Sequence, residues 1–212
     1  MYMERNIMKK MAIKKQIVVF GGCFNPPLNS HFSLAEQMIV EYPEIEKVIF
    51  VPVNSQYEKI DLIENEHRYQ MLKAVCDKNE KFEVSRIEID SERQLYTVET
   101  LHKLQEVYTN YEVAFLTGSD NLKTLDTWKK VEELITKFKL YILERDNDCM
   151  EKIIENNKLL RNHRESFIKA KDTIKSNLSS TFVREKIKAG KSIRYLTPDE
   201  VITYIKQHQL YR

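Results

Sequence analysis

Apolar positions along the chain switch repeatedly between two spacings, and the switches divide it into alternating strands and helices. Gln16 to Phe20 (QIVVF) is a β-branched run that stops at Gly21-Gly22, and apolar residues then return at helical spacing from Phe32 to Ile39. Lys47 to Val53 (KVIFVPV) reads as a buried strand and Glu66 to Asp77 as an amphipathic helix. Lys81 to Ile89 alternates like a further strand, and Thr97 to Tyr108 carries Leu101, Leu104 and Val107 on one helical face. Glu112 to Thr117 and Phe138 to Leu143 are predicted strands, with a helix from Thr127 to Lys137 between them. This alternation predicts an α/β fold, Rossmann-like and doubly wound, whose mainly parallel sheet is covered on both faces. Ligands of such sheets sit beyond the carboxyl ends of the strands, so the loops after Phe20, Val53 and Thr117 are the places to search.

The rest of the chain is more polar. Residues 146–174 are densely charged, and EKIIENNKLLRNHRESF reads as a polar helix, expected to be a solvated surface insertion or an interface element on which copies of the chain could self-associate as a homo-oligomer. Ser179 to Ala189 and Pro198 to Gln207 read as two short closing helices, with Ser and Thr ahead of the first and Thr197-Pro198 opening the second. Residues 1–15 (MYMERNIMKKMAIKK) are basic and Met-rich without the apolar run of a signal peptide, and are expected to be a disordered leader ahead of a single domain spanning 16–212.

Composition narrows the classes. With 212 residues and 42% hydrophobic content the chain can bury an ordinary core. Its three cysteines, Cys23, Cys76 and Cys149, are odd in number and far apart, which points away from a disulfide framework or a zinc knuckle and towards a reducing cytoplasm. Lys+Arg 34 against Asp+Glu 32 leaves a formal charge of +2, giving no global attraction for nucleic acid. No window has the length of a membrane span. An anion site must therefore be local.

Gly21-Gly22 follows a strand directly, so the backbone can turn and bring several N–H groups towards one point, while the next helix aims its N-terminus there. A phosphate suits that geometry. His31, at the start of the helix, can donate to a phosphate oxygen. Near the other end, Ser180 and Thr181 can cap a helix, and Arg184 falls one turn on, where its guanidinium can reach the same anion.

Together these segments resemble the nucleotidyltransferase superfamily. GGCFNPPLNSH, with Gly22, Cys23, Phe24, Asn25, Pro26 and His31, is similar to its phosphate signature, and Ser179-Ser180-Thr181 with Arg184 to the serine-serine-threonine-x-x-arginine motif that closes over ATP phosphates. Intervening matches narrow the resemblance to the nicotinamide/nicotinate mononucleotide adenylyltransferases and so imply the nucleotidyltransferase fold. It implies that Lys59 contacts the mononucleotide phosphate, that Tyr96 and Thr97 begin a helix facing the pyridine substituent, and that Trp128 stacks on the pyridine ring. It implies also that Gly118 and Asp120 hold the adenosine ribose and that Arg145 lies near the nucleotide. His67-Arg68 matches a pair that opens a helix.

The activity implied is attack of the mononucleotide phosphate on the α-phosphate of ATP, giving NAD or its deamido form and pyrophosphate, with Mg²⁺ arriving on the ATP phosphates rather than in a protein cage. ATP and a pyridine mononucleotide are then the partners, with no nucleic acid and no membrane. Nicotinate and nicotinamide are both open: VPVNSQYEK leans towards the eukaryotic nicotinamide type, the C-terminal ending towards the bacterial branch. Leu28 departs from the pattern, since histidine or threonine normally stands there and leucine cannot donate to a phosphate; Ser30 likewise replaces a common glycine. Two alternatives follow, a catalytically weak nucleotide-binding sensor and a transferase for another phosphate acceptor.

Overall fold

The structure is a computed structural model, and it describes residues 15–56, 62–145, 147–174 and 176–212. Lys59 and the expected leader up to residue 14 lie outside the described residues.

A six-stranded sheet, all parallel, organises the chain: β1 (Gln16–Gly22), β2 (Ile45–Pro52), β3 (Phe82–Val84), β4 (Glu112–Gly118), β5 (Lys139–Leu143) and β6 (Phe167–Lys169), in the order β3-β2-β1-β4-β5-β6. Strand order reverses between β1 and β4, which places the switch crevice over Gly21-Gly22 and Gly118. Pleat alternation on β1 sends Ile17 and Val19 to one face and Val18 and Phe20 to the other, all four buried.

On the Val18 face lie α1 (Asn29–Glu41), burying Phe32, Ala35, Met38 and Ile39, and α2 (Asn65–Cys76). The Ile17 face takes α3 (Thr97–Val107), through Val98, Leu101 and Leu104, the single turn α4 (Ser119–Leu122) and α5 (Val131–Lys137). Two closing helices, α8 (Ser180–Lys188) and α9 (Asp199–Gln207), form a third cluster with Leu28 and Met71.

Three sequence expectations are corrected. The charged insertion expected at 146–174 is not a solvated helix: its described residues, 147–174, include α6 (Met150–Glu155), α7 (Lys158–Asn162) and strand β6, and Met150, Ile154, Leu160 and Phe167 are buried in the core under the sheet. The alternation from Lys81 yields only three paired residues, because Asn54 draws the carbonyls of Glu88 (3.0 Å) and Ser91 (2.8 Å) into a turn away from the sheet. The helix expected from Thr127 begins at Val131; a 3₁₀ turn at Leu125–Thr127 precedes it, Trp128 is extended, and Lys130 is left-handed with φ 56°.

Candidate active site

At the carboxyl ends of β1 and β4 the surface opens into a cavity of about 930 Å³. Its lining brings together Gly21, Gly22, Cys23, Phe24, Asn25 and His31 from the β1 loop, Ser179, Ser180, Thr181 and Arg184 from α8, Asp120 and Arg145, and Tyr96, Thr97 and Trp128. Segments 150 residues apart thus share one space.

The β1 loop turns sharply at Phe24, whose φ of 46° puts a bulky residue in the left-handed region. Packing holds it there: its ring meets His31 at 5.1 Å, Phe50 at 5.7 Å and Phe20 at 5.8 Å between centroids. Three consecutive carbonyls then receive donors from the C-terminal region. Arg184 Nη1 donates to Asn25 O (2.9 Å), Ser180 Oγ to Pro26 O (2.8 Å) and Thr197 Oγ1 to Pro27 O (2.6 Å). The Tyr211 hydroxyl donates to Asn25 Oδ1 (2.8 Å). With their oxygens bound by these donors, the carbonyls present less negative charge to an incoming anion.

His31 is part-buried at the third position of α1. Its Nδ1 accepts the Leu28 backbone N–H at 3.0 Å, so the neutral ring carries its proton on Nε2. Burial, with the positive charge of Arg145 as a lesser cause, lowers its pKa to about 4. Near neutral pH the imidazole is therefore an uncharged donor. Leu28 gives this bond from its backbone, while its side chain, 1% exposed, packs with Met71, Val183, Ile193, Val201 and Ile205.

The start of α8 differs in detail from expectation. Ser179 is the capping residue, its Oγ accepting Phe182 N–H at 3.2 Å. Ser180 serves Pro26, and Thr181 Oγ1 accepts from Arg184 Nη2 at 3.3 Å. Arg184 is thus held at the cavity wall by two oxygens of the protein.

Gly118 is buried and does not line the cavity, but a Cβ there would stand 2.2 Å from Asp120 Oδ1 and 2.9 Å from Arg145 Nε. Its lack of a side chain is what lets these two approach. Arg145 Nη1 and Asp120 Oδ2 lie 3.5 Å apart, both half exposed. Ser119 Oγ, accepting Arg145 N–H at 3.0 Å and donating to Asp148 (2.8 Å), ties the β4 and β5 loops together. Across the cavity, Trp128 packs on the core with its ring 6.4 Å from Phe115, and Tyr96 caps α3, its N–H bound by Glu99 at 3.0 Å.

Sequence reasoning missed the residues that hold this geometry. Arg68, wholly buried, donates to Cys23 O (3.1 Å), Val53 O (2.6 Å), Ile63 O (3.1 Å) and Asn65 Oδ1 (2.5 Å), joining the loops after β1 and β2. Its only signal was a place in the His67-Arg68 pair. Thr197 and Tyr211 gave none beyond a helix start and an aromatic ending. Among the described residues, no group of three or more His, Cys, Asp or Glu side chains could hold a metal ion, and no helix is long and apolar enough to cross a membrane.

The sequence profile of a family described as cytidylyltransferase-like matches residues 19–186. A Desulfitobacterium hafniense protein described as a probable nicotinate-nucleotide adenylyltransferase is 34% identical over 206 residues, 95% of this chain and 98% of its own. A Clostridium tetani protein of the same description is 30% identical over 200 residues, 93% of this chain and all of its own. Among solved structures, the Plasmodium falciparum nicotinic acid mononucleotide adenylyltransferase complexed with NaAD superposes with a TM-score of 0.74 at 21% identity, covering 93% of this chain and 97% of that one.

Proposed function

Because the chain belongs to the cytidylyltransferase-like family and, within it, to the nicotinate-nucleotide adenylyltransferases, we propose that its cavity joins ATP to nicotinate mononucleotide and releases deamido-NAD and pyrophosphate. One observation carries this reading. A single cavity has anion donors at one end, on the β1 loop and α8, and an aromatic face with a helix start at the other, at Trp128 and Thr97. That is a site for two substrates.

In this reading a phosphate oxygen of the mononucleotide bonds to the α-phosphorus of ATP as the bond to the β-phosphate breaks. The nucleophile is already an anion, so no base is needed, and the protein's work is to position the reactants and stabilise charge. His31 Nε2–H donates to a phosphate oxygen. The starts of α1 and α8 add partial positive charge, and Arg184, a full charge at the wall, faces the same group. Asp120 takes the ribose hydroxyls once Arg145 turns to the nucleotide phosphates, Gly118 leaving them room. Trp128 stacks on the cationic pyridine ring, Tyr96 and Thr97 line its substituent, and Lys59 restrains the acceptor phosphate. The ATP phosphates themselves would carry Mg²⁺, which would supply neutralisation of their charge.

The test mixes purified protein, Mg²⁺ and ATP with either pyridine mononucleotide and measures pyrophosphate and dinucleotide. Turnover with the nicotinate form is expected; none with either mononucleotide overturns the reading.

A further inference from the structure

Glu88 is a carboxyl group within the substrate cavity that the reaction outlined above does not use. It sits on the turn after β3, where the Asn54 amide holds its carbonyl at 3.0 Å and that of Ser91 at 2.8 Å. Asn54 is itself 3% exposed, so the turn is fixed from the end of β2. The Glu88 side chain reaches the first turn of α3, where the buried Thr100 hydroxyl donates to Oε1 at 2.7 Å. Thr97 and Tyr96 begin the same helix, and all four residues line the cavity. A carboxyl is thus fixed beside the helix start that faces the pyridine substituent.

We propose that Glu88 selects the acid form of the pyridine ring, its protonated carboxyl donating an O–H to the nicotinate carboxylate; this rests on the function proposed above. Two facing carboxylates would repel, whereas a carboxylic acid and a carboxylate share one short, strong hydrogen bond. Nicotinamide offers an amide instead, which is neutral and indifferent to that repulsion. Protonation of Glu88 therefore sets the preference.

Its surroundings keep it partly protonated near neutrality. Burial raises the Glu88 pKa to about 7, opposed by the Thr100 hydrogen bond from α3 and, less, by the positive charge of Arg68 from α2. Asn54, from the β2 loop, binds the backbone carbonyl of Glu88 and adds no charge. As pH rises through 7 the carboxyl ionises, and the nicotinate form alone should be repelled.

The experiment measures kcat/KM for both mononucleotides between pH 6 and 9. Ionisation of the acceptor phosphate affects both alike and cancels in their ratio, while kcat/KM reports the free enzyme's groups. The expected ratio of nicotinate to nicotinamide turnover breaks near pH 7 and falls about tenfold per unit above it. Glu88→Gln keeps a donor but cannot ionise, so its ratio stays flat. Calorimetry in buffers of differing ionisation enthalpy gives an independent readout: nicotinate mononucleotide binding at pH 8 takes up a proton in the parent protein and none in Glu88→Gln. A ratio independent of pH in the parent protein, or an identical break in Glu88→Gln, overturns the proposal. Turnover with neither mononucleotide would instead overturn the function on which it rests.

Discussion

The Leu28 backbone N–H points into His31 Nδ1 at 3.0 Å, and this bond decides which nitrogen of the ring can serve a phosphate. Replacing His31 with alanine removes one preorganised donor and should lower kcat by about 10²–10³. The ring's lowered pKa has a consequence for stability too. A base whose pKa falls from 6.5 unfolded to about 4 folded contributes stability that is complete above pH 6.5 and lost as pH drops towards 4. Urea midpoints should therefore fall across that window in the parent protein and fall less in His31→Gln.

Leu28 itself is a core residue. Introducing threonine there restores a hydroxyl but buries it among Met71, Val183 and Ile193, at about 1–3 kcal/mol. Thermal denaturation should register the loss, and kcat should stay within a few-fold of the parent value. A large gain in kcat would mean that the hydroxyl reaches the phosphates after all.

Thr197→Val leaves the Pro27 carbonyl without its donor in a buried setting. An unmet buried acceptor costs about 1–3 kcal/mol, so the melting temperature should drop. Because the carbonyl then turns an unscreened negative end towards the loop, the KM for ATP should rise more than that for the mononucleotide, as steady-state kinetics would detect.

Trp128→Leu keeps an apolar side chain against Phe115 but removes the large aromatic face. Stacking on a cation contributes about 0.5–2 kcal/mol. Mononucleotide KM should rise roughly 2- to 30-fold on that basis, with a smaller change for ATP. Equal rises for both substrates would place Trp128 in the scaffold alone.

Gly118→Ala adds a methyl group whose carbon would sit 2.2 Å from Asp120 Oδ1. Asp120 must swing aside, and the effect should be confined to nucleotide binding: ATP affinity down about tenfold or more, the loss of one charged hydrogen bond, by calorimetry. Far-ultraviolet circular dichroism should not change.

Much of this architecture was legible because apolar spacing is a local signal. Val18, Val19 and Phe20 before two glycines, and Phe32, Ala35 and Ile39 after them, mark a strand, turn and helix without reference to anything distant. Residues 146–174 misled because the core residues Met150, Ile154, Leu160 and Phe167 are divided between two short helices and a strand, so no single period shows through the charge. Trp128 was assigned to a helix because KKVEELITK continues its spacing backwards, whereas Lys130 takes a left-handed conformation and starts the helix late. Motif residues of the site, such as His31 and Arg184, stood out as chemistry. Arg68, Glu88, Thr197 and Tyr211 did not, since the contacts through which they act are made by segments that only folding brings together.

The contact between Tyr211 and Asn25 spans 186 positions of the chain. On a ribosome adding about 5–20 residues per second, that separation is roughly ten to forty seconds of synthesis. During that interval β1, α1 and the sheet can assemble while the loop between them lacks its brace and the donors from α8. A growing chain with most of its core in place is therefore still a poor ATP binder, and nucleotide affinity measured on stalled nascent chains should appear only after Tyr211 has emerged.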